Sequence, residues 1–267
     1  MFICISQSDI RTMVIIIDNS FLFLKKRDIF LSETPYDIGD EIDIVNFRWC
    51  KNRINLPGYS CLETLTSTIN LNQELEEIRT KMNKTIRRKI KKVEKGPIIW
   101  KMNENFNEFY KVYKNFMKLK GYGSRLGFLG FELPNVKIME KRGTLFTYEL
   151  NGEILGGQLY LEDDETIFLW VSASKRLEVD KKTALLISEA NAFLVWETIK
   201  YAKKKSLKTF NWGGLWSMEE ALDPEKNSLN QYKISFGGQI KMYYSYSKIN
   251  NKLYKIISHI YQKYISK

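Results

Sequence analysis

The chain has 267 residues and a marked excess of positive charge. Its 42 lysine and arginine residues outnumber its 31 aspartate and glutamate residues, giving a formal net charge of +11. Apolar residues make up 44% and charged residues 27%, a composition that excludes a disordered or fibrous chain. The charge favours a polyanionic partner such as RNA, an anionic membrane surface or a phosphate-bearing substrate.

Cysteine and histidine are scarce. His259 is the only histidine, and Cys4, Cys50 and Cys61 show no C-x-x-C spacing. This scarcity argues against most zinc sites and against a histidine-based catalytic triad, so we predict no metal. The cysteines indicate reduced thiols in a cytoplasmic protein. Proton transfer is then left to carboxylates, tyrosine, lysine, water or the substrate.

The sequence shows no membrane-spanning or secretory segment. No apolar run reaches the length that a bilayer requires. The N-terminus lacks the basic region and small-residue cleavage site of a signal peptide. We therefore expect a cytoplasmic protein, with attachment to the inner face of the membrane as a further possibility.

The chain begins with a short strand-rich segment, residues 1–59. Within it, Val14–Ile17 and Phe21–Leu24 predict a hairpin. A longer strand is predicted from Ser60 to Leu71. We expect residues 60–267 to form the main domain, with the first segment as an addition to it or the remnant of another domain.

A strongly basic amphipathic helix is predicted next, from Asn72 to Gly96. Apolar residues recur at three and four positions and form its buried stripe. The other face carries Arg79, Lys81, Lys84, Arg87, Arg88, Lys89, Lys91, Lys92 and Lys95. Because like charges repel unless an anion neutralises them, we expect Arg87 and Arg88 to bind phosphate. A solvated surface is the alternative.

The middle of the chain combines a loop with a strand meander. The glycine-rich loop Gly121–Gly127 offers Tyr122 and Arg125 as candidate substrate-binding residues. The strands that follow are Thr144–Leu150, Ile154–Leu161 and Thr166–Val171. Their short connections predict an antiparallel meander.

Two paired-glycine turns mark the end of the chain. A long helix, from about Lys181 to Lys204, leads into the strand Leu207–Trp212, which Gly213-Gly214 follows directly. The second pair, Gly237-Gly238, comes just after Tyr232-Lys233. Paired glycines permit positive φ and close approach of backbone to a ligand, so we expect a cleft here.

The order of these elements predicts an α+β fold. We expect a mixed, mostly antiparallel central sheet flanked by helices, with a basic amphipathic helix at the C-terminus. That terminal helix suits packing against the domain or contact with a membrane surface.

Three segments in this order resemble the Fem family of aminoacyltransferases, whose domains have the GNAT acyltransferase fold. The first is the basic helix around Ile86-Arg87-Arg88-Lys89. The second is the stretch from Trp196 to Asn211-Trp212-Gly213-Gly214. The third, Tyr232-Lys233 to Gly238, is similar to the motif F-K-x-x-F-G. The resemblance covers roughly residues 60 to 247.

The resemblance implies transfer of an aminoacyl group from a charged tRNA to an amine of a cell-envelope precursor or small metabolite. It implies no permanently bound cofactor and no covalent enzyme intermediate. Donor and acceptor then meet where the strands Thr166–Val171 and Leu207–Trp212 separate. The resemblance places these residues there: Lys233, Trp212 and Asn211 in catalysis, and Tyr232, Gly213, Gly214 and Trp170 in the lining.

Two alternatives stay open. GNAT enzymes that use acyl-CoA generally carry a Q/R-x-x-G-x-G/A loop, whose amides hold the pyrophosphate at a helix N-terminus. Residues 172–182 contain no glycine, and their lysines and arginine suit RNA phosphates instead. An N-acyltransferase that uses acyl-CoA or an acyl carrier is the first alternative. A non-enzymatic RNA-binding or membrane-surface module is the second.

Overall fold

A ten-stranded sheet organises the protein. The computed structural model describes residues 14–21, 24–121 and 135–256. In spatial order the strands are β1-β2-β3-β10-β4-β9-β8-β7-β6-β5. Their bounds are β1 Ile15–Phe21, β2 Leu24–Phe30, β3 Ile44–Cys50, β4 Ser60–Asn70, β5 Ile99–Met102, β6 Thr144–Leu150, β7 Glu153–Glu162, β8 Thr166–Ser174, β9 Thr209–Gly214 and β10 Gln239–Ile249. The β2–β3 and β8–β9 pairs are parallel and the other pairs antiparallel. The predicted α+β class with a mostly antiparallel sheet is confirmed.

Six α-helices flank the sheet in the part of the chain that the structure describes. They are α1 Leu75–Lys81, α2 Lys84–Val93, α3 Phe106–Leu119, α4 Val136–Arg142, α5 Lys181–Lys204 and α6 Pro224–Ile234. Beyond β10, residues 252–256 are helical, and the rest of the predicted C-terminal helix lies outside the described residues. No described helix combines the length and apolar character that crossing a membrane requires.

The expectation of one basic helix from Asn72 to Gly96 is wrong, because the chain forms α1 and α2 instead. Met82 and Asn83 are extended between them, and the Asn83 side chain accepts a hydrogen bond from the Ile86 amide. Asparagine satisfies a free amide of the first turn in this position, so it starts a new helix rather than continuing the old one.

The N-terminal hairpin is present, but its turn lies later than the sequence predicts. Phe21 pairs with Leu24, so Asp18 lies inside β1. There its carboxylate accepts hydrogen bonds from Arg27 on β2. This cross-strand ion pair accounts for an acidic residue within a strand. Through the parallel β2–β3 pair and the β3–β10 pair, these strands continue the central sheet.

The two faces of the sheet bury different clusters. On one face, α5 and α2 pack over a core that includes Ile90, Leu194 and Phe210. The cluster around Phe109 of α3 includes Leu159 of β7 and Val171 of β8. Phe30 and Phe168 belong to a third cluster, which joins the N-terminal strands to β8.

Two glycines with nearly equal φ angles but different surroundings allow a test of the fold. Gly237 has φ +78°, and a Cβ there would lie 2.5 Å from the carbonyl oxygen of Lys81. Gly152 has φ +80° with open space around it. We expect Gly152→Ala to lower the free energy of unfolding by about 1–2 kcal/mol, the penalty of a left-handed residue. Gly237→Ala adds a backbone clash and must lower it further.

Denaturant unfolding of both variants measures the difference. Equal losses of stability would contradict the described contact between Gly237 and the end of α1.

Candidate active site

The central feature of the site is a gap between β8 and β9. Thr166, Ile167 and Phe168 pair in parallel with Thr209, Phe210 and Asn211, and the pairing stops there. Beyond that point β8 stays paired with β7, and β9 with β4. The strands therefore diverge as the family resemblance implies, and a cleft of about 1240 Å³ opens beside them.

A β-bulge places Trp170 at the edge of this gap. Leu169 and Val171 face Tyr160 and Leu159, two consecutive residues of β7, so Trp170 is the extra residue on β8. The extra residue of a bulge is left without a ladder partner. Its backbone N–H is therefore a candidate donor to an oxygen atom in the cleft, which Trp170 lines.

A second bulge shapes the end of β9. Asn211 and Gly214 face Thr68 and Thr66, which leaves one extra residue on β9. The Asn211 side-chain oxygen accepts the Gly213 N–H at 2.9 Å and lies 2.7 Å from the Thr66 hydroxyl. Gly213 has φ +71°, a conformation that glycine adopts without strain. The Gly213 amide is thus already engaged and is not free to bind an oxyanion.

Lys233 projects from the last turn of α6 into the cleft. Asp223 accepts hydrogen bonds from the first-turn amides and Pro224 begins the helix, so α6 starts at a defined position. The Lys233 Nζ donates to the Gly214 carbonyl oxygen at 2.6 Å. No carboxylate of the described residues forms an ion pair with it. Burial lowers the pKa of Lys233 to about 8.

Two buried donors beside Lys233 have no hydrogen-bond partner among the described residues. They are the indole N–H of Trp212 and the hydroxyl of Tyr232. The two rings meet edge to face with centroids 5.8 Å apart, and both line the cleft. Burial raises the pKa of Tyr232, so its hydroxyl keeps its proton. Buried polar atoms are normally paired, so these two unpaired donors mark a place where the free protein supplies no acceptor.

One end of the cleft is cationic. Lys89 of α2 donates to the Ser188 hydroxyl of α5 at 2.8 Å, and Arg176 lines the same cleft. Burial lowers the pKa of Lys89, and the nearby Arg176 lowers it further. Two cations held close together favour binding of an anion.

The N-terminus of α5 is already occupied by a side chain of the protein. The Asp180 carboxylate accepts hydrogen bonds from the amides of Lys182 and Thr183 at 2.8 and 3.1 Å. Its other oxygen accepts one from the Thr183 hydroxyl. The free amides of a helix N-terminus bind phosphate, but here a carboxylate takes two of them.

The structure gathers six of the residues expected from the sequence around one cleft. These are Trp170, Trp212, Gly213, Gly214, Tyr232 and Lys233. Asn211 is fully buried behind the lining. Tyr122 and Arg125 lie outside the described residues. Arg87 donates to the Thr80 carbonyl oxygen and Arg88 is exposed, and neither lines the cleft.

The sequence analysis missed Lys89, although its position carries a signal. Lys89 lies three residues after Ile86 and one before Ile90, both of which are buried. Residues three and four apart share a helix face, so Lys89 flanks the buried stripe and points toward α5. Arg88 lies on the opposite, exposed face, and Arg87 flanks the other side of the stripe, away from the cleft lining.

The pKa of Lys233 gives a test that does not depend on catalysis. Between about pH 8 and the ordinary lysine value of 10.5, the folded state binds fewer protons than the unfolded state. The free energy of unfolding of the wild type must therefore rise with pH across that window, relative to Lys233→Met. Chemical denaturation at several pH values measures it, and parallel profiles for the two proteins would refute the low pKa.

Comparison with known proteins agrees with this geometry. The profile of the acetyltransferase (GNAT) domain matches residues 80–233, more than half of the chain. A search among curated protein sequences gives no significant match. The crystal structure of FemX has a TM-score of 0.59 at 12% identity, with 94% of this chain and 88% of that chain covered.

Two further structures share the fold. L-PGS from Bacillus licheniformis has a TM-score of 0.51 at 12% identity, with coverage of 96% of this chain and 86% of that one. The C-terminal domain of an Agrobacterium fabrum protein named as a lysylphosphatidylglycerol synthetase has a TM-score of 0.55 at 8% identity, with 94% and 89% covered. The chain belongs to the GNAT acetyltransferase domain family, and it is an acyltransferase.

Proposed function

We propose that the protein forms an amide bond by moving an aminoacyl group from a charged tRNA to an amine. The observation that carries this proposal is the gap between β8 and β9, where Lys233 and the unpaired donors of Trp212 and Tyr232 meet. A cleft with convergent polar donors and a lysine of lowered pKa is typical of an active site.

The proposed reaction needs no covalent enzyme intermediate. A neutral amine attacks the ester carbonyl, so a C–N bond forms and the carbonyl oxygen becomes an oxyanion. The C–O bond to the RNA 3′ end then breaks, and the proton lost by the amine is taken up by the departing oxygen through water or substrate. The protein's task is to orient both reactants and stabilise the oxyanion.

Two donors are placed to stabilise that oxyanion. Trp170 has no register partner on β7, which makes its N–H a candidate donor. Lys233 uses one N–H on the Gly214 carbonyl oxygen, which leaves it two more. With its pKa at about 8, Lys233 is mostly protonated at neutral pH. Asn211 acts as a positioning residue, because it holds the bulge that directs Gly214 toward Lys233.

The cationic end of the cleft is proposed to bind the phosphate of the donor. Lys89 and Arg176 supply two charges for a phosphodiester group. Asp180 occupies the helix N-terminus that would otherwise cradle a CoA pyrophosphate. These contacts support charged RNA, with Arg87 and Arg88 as outer contacts, over acyl-CoA as the donor. Acyl-CoA remains the alternative because the matching family is an acetyltransferase domain.

The proposed acceptor is an amine of a cell-envelope precursor or a small metabolite, modified in the cytoplasm or at the inner face of the membrane. The three cysteines lack C-x-x-C spacing, a pattern typical of reduced thiols in a cytoplasmic protein. The net charge of +11 supports contact with anionic RNA or an anionic membrane surface. Membership of an enzyme family leaves the non-enzymatic alternative without support.

Replacing Lys233 tests the mechanism. We expect Lys233→Met to lower kcat for transfer from charged RNA by about 10²–10³-fold, the usual effect of removing an oxyanion donor. The wild-type kcat should also fall as pH rises through about 8, where Lys233 loses its proton. The residual activity of the variant should lack this decline.

The matched control is Lys226→Met, which removes a lysine of the same helix that lies outside the cleft lining. Its kcat should stay close to that of the wild type. Full activity of Lys233→Met would remove Lys233 from the mechanism.

A further inference from the structure

A third bulge points an aromatic side chain at the reaction centre. Cys50 and Phe47 of β3 face Tyr244 and Tyr246 of β10, which leaves one extra residue on β3. At this bulge Trp49 has φ +66°. A bulky residue in the left-handed region is rare, and such strain persists where surrounding packing fixes it, often at functional sites.

The strained backbone sets Trp49 against Gly214. A Cβ on Gly214 would lie 3.2 Å from Cη2 of the Trp49 ring. Gly214 is also the residue whose carbonyl oxygen accepts the Lys233 hydrogen bond. Trp49 therefore stands next to the point where the proposed transfer takes place.

Three more aromatic rings complete an apolar wall beside Trp49. The Trp49 and Phe168 rings have centroids 5.3 Å apart, and Phe30 lies 5.9 Å from Trp170. All four residues line the cleft. We name this part the aromatic chamber. Phe168 is the last β8 residue paired with β9, so the chamber lies where the strands begin to diverge.

The cleft offers no unpaired carboxylate to a cationic side chain of the transferred group. Of its described lining residues, six are basic and only Asp28 and Glu225 are acidic. Asp28 lies 2.9 Å from the Lys26 ammonium and 3.6 Å from Arg48, and Glu225 pairs with Lys120. Each carboxylate among these residues is thus already paired. A buried cation without a partner is strongly disfavoured.

We infer that the aromatic chamber receives the side chain of the transferred aminoacyl group, that it selects a compact uncharged side chain, and that it rejects a cationic side chain. This inference rests on the proposed function and adds the class of group that is moved. Trp49 limits the size of the group, because its ring closes the chamber against Gly214.

Binding of stable donor analogues tests the inference without turnover. The probes are 3′-amino-3′-deoxyadenosines carrying alanyl, phenylalanyl or lysyl groups in amide linkage. The wild type should bind the alanyl probe at least about tenfold more tightly than the lysyl probe, because a pocket that does not fit a side chain lowers its affinity by about this factor. Equal affinity for the alanyl and lysyl probes, including no measurable binding of either, would overturn the inference.

Two variants change the chamber in opposite directions. Trp49→Ala enlarges it and should raise the affinity for the phenylalanyl probe relative to the alanyl probe by about tenfold. Gly214→Ala adds a methyl group facing Trp49 and should lower the affinity for the phenylalanyl probe relative to the alanyl probe. The lysyl probe should stay weak in both, since neither change supplies a carboxylate.

Trp100→Ala is the control, because Trp100 lies on β5 outside the cleft lining. It should keep the wild-type ratio of phenylalanyl to alanyl affinity. Circular dichroism of all variants checks that they fold. If Trp49→Ala is folded and keeps the wild-type ratio, Trp49 does not set the size limit. If it does not fold, Gly214→Ala decides the same question.

Transfer assays separate this inference from the proposed function. One RNA microhelix charged in turn with alanine, phenylalanine or lysine serves as the donor. Transfer at equal rates from all three would refute the chamber's selectivity and leave the proposed function standing. Selective binding of the probes without transfer from any charged RNA would refute the proposed function and support the chamber.

Discussion

The separation of β8 and β9 after Phe168 and Asn211 is the constraint on which the site depends. A continuous ladder would use the backbone groups of both strands and leave no space between them.

Bulges on β8, β9 and β3 shape the gap, since each adds one residue to its strand. The bulge on β8 leaves Trp170 without a register partner, and the bulge on β9 turns Gly214 toward Lys233. The bulge on β3 sets Trp49 against Gly214. The glycine pair at the end of β9 suits this geometry, because Gly213 has a positive φ and a Cβ on Gly214 would lie close to the Trp49 ring.

The same region holds groups that lower stability in the absence of a substrate. Lys233 has no carboxylate partner among the described residues, and Trp212 and Tyr232 bury donors without acceptors. Lys89 and Arg176 place like charges close together. The buried core beneath α5 and the hydrogen bond between the Asn211 side chain and the Gly213 amide hold this arrangement in place. Groups that are unsatisfied in the free protein interact more strongly with a substrate or transition state, which is how a preorganised site catalyses.

Much of the fold is legible in the sequence because its signals are local. Short connections between consecutive strands predicted the meander of β6 to β8, and the glycine pair marked the end of β9. The Tyr232-Lys233 motif located the lysine of the cleft. The break between α1 and α2 was missed because helical periodicity outweighed the capping tendency of Asn83. Trp49 was missed for another reason: the position of a bulge depends on strand register, which no local pattern encodes. Asp180 directly precedes the predicted start of α5, so its capping role carried a local signal that the sequence analysis did not use.

The central claim is that the cleft accepts a charged RNA rather than acyl-CoA. Its most direct test is equilibrium binding of charged tRNA and, separately, of acetyl-CoA, each at two salt concentrations, to the wild type and to the double variant Lys89→Gln/Arg176→Gln. The account predicts tight tRNA binding that weakens with salt, a reduced salt dependence in the double variant, and no saturable binding of acetyl-CoA. Saturable binding of acetyl-CoA together with only nonspecific tRNA binding would contradict it and place the protein among acyl-CoA-dependent N-acyltransferases.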